Sequence, residues 1–242
     1  MAYKYEPEYF SGQGRLSVAK IVGGKRGAFR FVGNVPQLEI TTDVQTNDHK
    51  ESHSGQRAVD YSIVTERNVG FNATLEEFTK QNLALALGAS VSEIEAKTVS
   101  AEALADSPKD GDVLYLEYPH AKDIVISVKG APLADAAAVE IEPKFGRITV
   151  LDASKLAGAV TVAYKTDKVT KIEALQENVE GYALRFDGLN TAKGDAPVIV
   201  SIGKVQINPA ETLSLISDEL NSFQLSGKVL INGGKFYSIT ML

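Results

Sequence analysis

The sequence contains no cysteine, which excludes disulfide bonds and thiolate metal sites. Tryptophan is also absent, and there are only three histidines. No apolar run approaches the roughly 20 residues that span a bilayer, so we expect no membrane insertion. The first ten residues, MAYKYEPEYF, include two glutamates and no apolar stretch. We therefore expect no signal peptide, and synthesis in the cytosol.

The sequence has fewer basic than acidic residues. The 242 residues carry 31 acidic and 25 basic side chains, which gives a formal charge of −6. Proteins that grip DNA normally have an excess of Lys and Arg, because neutralised phosphates supply most of their nonspecific affinity. A protein with the opposite balance is not built to hold nucleic acid.

Motifs for catalysis and cofactor binding are also missing. His49 and His53 lie four residues apart, but in a polar stretch that contains Gly and Ser, so we expect no metal site. Residues 12–14 (GQG) lack the third glycine of a dinucleotide fingerprint, and residues 22–27 (VGGKRG) lack the Ser or Thr of a phosphate loop. We interpret both as hairpin turns. With no Gly-x-Ser-x-Gly elbow either, the sequence predicts a protein that is not an enzyme and has no cofactor.

What the sequence has instead is a period of two, which is typical of β-strands. From residue 59 to residue 75 the odd positions are mostly apolar, among them Tyr61, Ile63 and Phe71, and the even positions are mostly polar. A strand of this length spans roughly 55 Å, against about 17–20 Å for a usual strand. It must bend between sheets or project beyond its own domain.

Residues 37–44 alternate in the same way and are the predicted partner strand. Between the two ladders lie residues 45–58, a polar stretch of 14 residues, whereas hairpin loops usually have about 2–5. Two interpretations stay open for this stretch. It is a mobile surface loop, or it is an arm that becomes ordered only against a neighbouring subunit.

One helix is predicted after the long strand. Thr74 and Glu77 have the spacing of a capping box, and Gly88 stands where a left-handed C-cap is expected. Residues 83–87 are apolar all round, which indicates that the end of the helix is covered on every side. The cover is either the rest of the subunit or a partner. The candidate inter-subunit residues are Leu83, Leu85 and Leu87.

Turn signals and short apolar runs divide the rest of the chain. Residues 1–99 and 166–242 are predicted to form the core domain, and residues 100–165 a small, sandwich-like β insert. Predicted strands of the insert lie at 113–118, 124–128, 139–141, 147–151 and 160–164, with a helical turn at 134–138. Later strands of the core are predicted at 182–189, 198–207, 213–216 and 223–231. Spacings of about 8–12 residues are typical of a sandwich or a barrel.

Two segments carry a resemblance to a known family. Residues 33–87 read GNVPQLEITTDVQTNDHKESHSGQRAVDYSIVTERNVGFNATLEEFTKQNLALAL. Residues 181–230 contain RFDGLNTAKGDAPVIVSIGKVQINPAETLSLISDELNSFQLSGKVL. In the order of their parts, both segments resemble the major tail tube proteins of long-tailed bacteriophages. The resemblance covers a little under half of the chain.

The resemblance implies a mainly β fold, namely a tail-tube-type β-sandwich or barrel with one flanking α-helix, a long β-hairpin arm and the small β insert. It implies a structural virion protein whose hexameric rings stack into the tail tube, the conduit for genome ejection. The protein would be assembled in the host cytoplasm and located in the virion. Its implied partners are further copies of the chain, a tail tip or baseplate initiator, a tail terminator and a tape measure protein in the lumen. DNA would pass through without specific binding.

Two groups of charged residues follow as candidates. The predicted inter-ring stacking contacts of the 45–58 arm are Asp48, Lys50, Glu51 and Arg57. The predicted lumen-lining acids, on the polar faces of the two ladders, are Glu39, Asp43, Asp60 and Glu66. An acidic lumen would repel phosphates, so that the genome slides rather than sticks.

Two alternative functions remain open. One is a non-enzymatic β-sandwich that binds a glycan or a receptor, although scattered tyrosines and the lack of tryptophan weaken it. The other is the inner tube of a related contractile injection machine.

Overall fold

The computed structural model describes residues 8–177 and 179–241, and strands dominate it. The first elements are β1 (Gly12–Val22), β2 (Lys25–Arg26), β3 (Arg30–Phe31), β4 (Gln37–Lys50), β5 (Val59–Leu75), α1 (Lys80–Leu87) and β6 (Ser90–Ile94). The middle elements are β7 (Thr98–Asp106), β8 (Val113–Tyr115), β9 (Ala121–Val128), β10 (Ala131–Pro132), β11 (Val139–Glu142), β12 (Arg147–Val150) and β13 (Ala159–Thr166). The last elements are β14 (Val169–Glu173), β15 (Gly181–Asn190), β16 (Ala196–Asn208), β17 (Phe223–Val229) and β18 (Tyr237–Met241). The mainly β fold expected from the sequence is confirmed.

The chain forms two compact units. The core unit is Met1–Val91 with Ile172–Leu242, and the insert unit is Ser92–Lys171. The insert expected from the sequence, 100–165, is narrower. Its limits cut through one sheet, because Thr98 of β7 pairs with Lys165 of β13.

A nine-stranded sheet builds the core unit. Its strand order is β2-β1-β15-β16-β17-β5-β4, with β3 attached to β1 and β18 attached to β16. All of these neighbours are antiparallel. β4 ends this order, so one edge of β4 has no strand beside it in the described part of the chain.

The sheet curls around one core. Leu16 of β1 and Phe71 of β5 lie far apart in the strand order but belong to the same buried cluster. A small cavity is lined jointly by Leu16, by Leu38 of β4 and by Phe186 of β15, so opposite ends of the sheet face each other across the core. The buried residues of this cluster are Leu16, Val18, Val32, Val69, Phe71, Ala73, Leu75, Leu85, Ala86, Tyr182, Leu184, Ile202, Val205, Phe223, Leu225 and Val229.

The helix begins later than the capping-box pattern predicts. Thr74 cannot be its N-cap, because β5 continues to Leu75, which pairs with Phe223 of β17. The N-cap is Thr79, whose hydroxyl accepts a hydrogen bond from the Asn82 amide at 3.1 Å. The predicted C-cap is confirmed, since Gly88 is left-handed with φ 55°. α1 has eight residues, and none of the helices in the described chain is long and apolar enough to cross a membrane.

Asn82 fixes the helix to its own unit. Its side chain is fully buried and donates to the Val32 carbonyl at 2.6 Å, while Arg30 donates to its oxygen at 2.6 Å. Phe78, just before the helix, packs edge-on against Phe223 with ring centroids 5.1 Å apart. Because a buried amide that loses such partners costs about 1–3 kcal/mol, α1 is part of the core and not a mobile flank.

The insert unit has its own core between two antiparallel sheets, of order β10-β9-β13-β7 and β11-β12-β8. The predicted helical turn is a 3₁₀ turn at Ala136–Ala138, capped by the Asp135 side chain, which accepts from the Ala137 amide. The buried residues shared by the two sheets are Leu116, Ala121, Ile126, Ala138, Val139, Ile148, Val150, Leu156, Val160, Val162 and Tyr164.

Two expectations about turns and strands are wrong. Residues 12–14 are not a hairpin turn but the start of β1, where Gly14 pairs with Gly188. Residues 213–216 form no strand and lie in the connection between β16 and β17. The turn at 22–27 is confirmed, because Gly23 and Gly24 both have positive φ and join β1 to β2.

Candidate functional site: the projecting β4–β5 hairpin

The hairpin of β4 and β5 extends far beyond the sheet that carries it. β5 pairs with β17 only from Val69 to Leu75, and from Asn68 back to Val59 its one strand neighbour is β4. Every residue from Thr41 to Asn68 is exposed except Glu51. About eight residue pairs project in this way, which corresponds to roughly 25 Å.

The connection at the tip is shorter than the sequence suggests. The predicted 14-residue polar loop is wrong, because β4 continues to Lys50 and only residues 51–58 connect the strands. Polar residues do not interrupt the pairing of β4 with β5 here, because both faces of the projecting hairpin are exposed to solvent. The arm is therefore a paired β-hairpin in the single chain and not a long loop.

A β-bulge decides which side chains share a face. Gln45 pairs with Glu66 and Thr46 pairs with Val64, so Thr65 is an extra residue in β5. An extra residue reverses the alternation of one strand relative to the core. The expected single apolar face is therefore wrong for the outer half of the strand, because Tyr61 and Ile63 lie on the face opposite to Phe71.

The four predicted lumen acids lie on one face of the hairpin. Glu39 and Asp43 alternate with the core-facing residues of β4, and Glu66 pairs with Gln45 on the same side. Asp60 joins them at a second bulge, where its carboxylate lies 2.6 Å from Nδ1 of His49. The structure describes every residue of the hairpin, and within it this acidic face has no Lys or Arg.

The opposite face of the projecting part is apolar and more basic. It carries Val44 opposite Arg67, Thr46 opposite Val64, and Lys50 opposite Val59. Asp48 is the acid on this face, and it accepts a hydrogen bond from the Ser62 hydroxyl at 2.6 Å. Exposed apolar side chains thus occur on both faces of the hairpin: Val44, Val59 and Val64 on one, and Ile63 with Tyr61 on the other.

Glu51 organises the tip instead of pointing outward for a partner. Its carboxylate accepts hydrogen bonds from the Ser54 hydroxyl and from the amides of Ser54 and His53, both at 2.9 Å. These donors, the Ser54 hydroxyl first, lower the pKa of Glu51 to about 2. Of the four predicted stacking residues, Glu51 is therefore used internally. Arg57 remains exposed at the tip, in a backbone conformation with φ 50°.

The three helix leucines differ in exposure. Leu85 is buried in the core of its own unit, so it presents no surface to a partner. Leu83 and Leu87 are half-buried. The candidate inter-subunit helix is thus reduced to two partly exposed side chains.

A cavity of about 450 Å³ lies where the hairpin leaves the sheet. Its lining combines Arg67 and Asp43 of the hairpin with Lys228 of β17 and the side chains of Ile231 and Phe236, which follow that strand. We call this cavity the notch. Ile231 is 63% exposed, which is unusual for an isoleucine beside a buried strand.

The two predicted hairpin histidines have separate partners. His49 contacts Asp60, and Nδ1 of His53 lies 3.1 Å from Glu51. Across residues 8–177 and 179–241, no cluster of three or more His, Asp or Glu side chains could hold a metal ion.

A sequence-family model matches residues 9–236, nearly the whole chain. The chain belongs to the family described as Protein of unknown function UCP028589. No curated protein matches the sequence.

In this family member, sequence reasoning misses one further feature, the connection between β16 and β17. Ile216 is 98% exposed, and Leu215 and Leu220 are almost or fully exposed. The same segment includes Glu211, Asp218 and Glu219 and no basic residue. The sequence did contain a signal, since Leu215 and Ile216 are adjacent large aliphatic residues in an acidic segment. They were assigned instead to a predicted strand at 213–216.

Proposed function

We propose that this protein is a structural subunit that polymerises, specifically the major tail tube protein of a long-tailed bacteriophage. The observation that carries the proposal is the ordered β4–β5 hairpin, which projects roughly 25 Å and exposes aliphatic side chains on both faces. In a monomer these apolar side chains would stay in water, which is unfavourable. The order of parts that resembles tail tube proteins supports the same reading.

Burial of these side chains supplies the driving force for assembly. Covering a Val, Leu or Ile side chain contributes about 1.5–3 kcal/mol, and the hairpin carries three such exposed residues on the face opposite the acids. These are Val44, Val59 and Val64. Even half of the full gain would shift association by about two to three powers of ten, since about 1.4 kcal/mol is tenfold.

The free edge of β4 supplies a second contact. This strand has 14 residues and ends the strand order. Exposed edges of this length invite pairing with another chain. In the proposed hexameric ring, that edge pairs with the neighbouring subunit, and a closed ring leaves none of these edges free.

The acidic face gives the proposed tube its function. Glu39, Asp43 and Glu66 share one face with Asp60, and in a ring that face would line the lumen. Six subunits at −6 each give a formal charge of −36 per ring. Such a lining repels phosphates, so DNA passes without specific binding.

The remaining parts of the proposal follow from this role. The protein performs no catalysis and is located in the virion after assembly in the host cytoplasm. Its partners are other copies of itself, a tail tip or baseplate initiator, a tail terminator and a tape measure protein inside the tube.

Negative-stain electron microscopy across a concentration and salt series tests the proposal. We expect hollow tubes of uniform width or stacked six-fold rings, favoured by added salt because salt screens repulsion between the acidic faces. A protein that stays monomeric at every concentration, and also when a tail-tip nucleus is supplied, would rule the proposal out. Tubes that bind a sheath protein on their outside would assign it to a contractile machine instead.

A further inference from the structure

The connection between β16 and β17 presents a surface that its own chain does not cover. Residues 211–220 include Leu215, Ile216 and Leu220, with exposures of 80%, 98% and 101%. A folded chain rarely leaves three large aliphatic side chains in water within so short a segment, and such surfaces mark interaction sites. We call this segment the acidic–aliphatic loop, because its charges are Glu211, Asp218 and Glu219.

The notch at the base of the hairpin has the complementary character. Its volume of about 450 Å³ lies in the usual range of binding pockets. Ile231 and Phe236 give it an apolar wall, and Arg67 and Lys228 add two exposed cations beside the single carboxylate of Asp43. Basic side chains beside apolar ones suit a partner that offers aliphatic groups flanked by acids.

The loop and the notch lie at opposite ends of β17. The loop leads into Phe223, where the strand begins, and the notch is lined by Val229 and the residues that follow it. Seven residues of strand separate them by roughly 20 Å. Within one chain the loop leaves the notch uncovered, and a contact between the two across copies is head-to-tail, the type that generates filaments when it does not close.

We propose that the acidic–aliphatic loop of one copy docks into the notch of a second copy and forms a stacking contact between successive subunits. Ile216 and Leu220 pack against Ile231 and Phe236. Asp218 and Glu219 pair with Arg67 and Lys228. The inference rests on the proposed function, since a head-to-tail contact presupposes a polymer. It adds a contact in which the notch at the base of the hairpin receives the loop of another copy.

Disulfide trapping tests the contact, and the absence of cysteine from the sequence removes any background. One preparation carries Ile216→Cys and another carries Ile231→Cys, so a disulfide between positions 216 and 231 joins two copies. After mixing, assembly and mild oxidation, mass spectrometry of the linked peptides identifies the pair. Because disulfides form only when Cβ atoms approach to about 3.5–4.5 Å, a strong 216–231 link requires docking.

Val22→Cys is the matched control for Ile231→Cys. Val22 is 60% exposed against 63% for Ile231, and it does not line the notch. We expect the 216–231 link to exceed the 216–22 link at least tenfold in assembled material. A charge exchange gives an independent readout: Arg67→Glu with Lys228→Glu abolishes assembly, and Asp218→Lys with Glu219→Lys in the same chain restores it.

The outcomes separate this inference from the proposed function. Tubes that form without selective 216–231 linkage, and whose assembly the charge exchange does not restore, overturn the docking contact and leave the tube role standing. A protein that never assembles, even with a tail-tip nucleus, overturns both. Selective linkage with charge rescue supports both.

Discussion

The two halves of β5 contain similar residues in opposite surroundings. From Val69 to Leu75 the strand lies between β17 and β4, and its apolar side chains are buried. From Val59 to Asn68 only β4 pairs with it, and Tyr61 is 63% exposed where Phe71 is 1% exposed. The apolar residues of a strand therefore do not show by themselves whether they are buried. Burial depends on how many neighbouring strands and core residues cover them.

The largest expected effect separates the two halves by stability. Phe71→Ala should lower the free energy of unfolding by about 3–5 kcal/mol, because it leaves a cavity in the core. Tyr61→Ala should change it by less than about 0.5 kcal/mol, since the side chain is exposed. Chemical denaturation of the monomer measures both. Equal losses would mean that Tyr61 packs against the core in solution, so that the two halves of β5 would not differ in their surroundings.

The next effect concerns assembly. Replacing residues 51–58 with Asn-Gly, the preferred two-residue hairpin turn, removes Arg57 and the ordered tip but keeps both strands. We expect a folded, soluble subunit that forms no tubes, because in the proposed tube the tip would contact the next ring. Circular dichroism checks the fold and electron microscopy checks assembly. Normal tubes from this variant would refute the role of the tip.

A smaller effect is expected from reversing the charge of the acidic face. The variant carries Glu39→Lys, Asp43→Lys, Asp60→Lys and Glu66→Lys. Tubes should remain intact, while genome ejection from virions that contain the variant slows, because a basic lining holds phosphates. Changing the same residues to Gln and Asn is the matched control and should give an intermediate rate. Unaltered ejection with lysines would show that this face does not line the lumen.

The smallest effect concerns pH and the tip carboxylate. The pKa of Glu51 is lowered to about 2 from its usual 4.5, chiefly by the Ser54 hydroxyl. A depressed folded-state pKa contributes stability that is fully present above the unfolded value and is lost as pH falls. The difference in Tm between the natural protein and Glu51→Gln should therefore be constant above about pH 5 and shrink towards pH 2. A difference independent of pH would contradict the carboxylate's role.

Several elements were predictable from local pattern. The alternation of mostly apolar and mostly polar residues over 59–75 predicts the bounds of β5, and Gly88 predicts the end of α1. Both depend on interactions within a few residues, namely the pleat of a strand and the left-handed cap of a helix. The acids Glu39, Asp43 and Glu66 share one face, as the alternation predicts, because all three lie between the sheet and the first bulge.

Other elements depended on pairing across the chain. Thr74 fits a capping box, yet it stays in β5 because Gln224 of β17 pairs with it and bonds its side chain. Residues 45–50 look like a loop, yet they continue β4 because β5 extends opposite them. Leu85 was predicted to contact another subunit, yet it is buried in the core of its own unit.

The sequence by itself determined that this protein is mainly β, lacks disulfides, carries net negative charge and contains one over-long strand, because composition and the period of two are local properties. Only the tertiary structure decided which surfaces that strand presents. The extra residue at Thr65 moves Tyr61 and Ile63 to the acidic face, and a bulge is visible only when two strands are paired. The notch and the exposed acidic–aliphatic loop likewise exist only once β17 lies between β16 and β5.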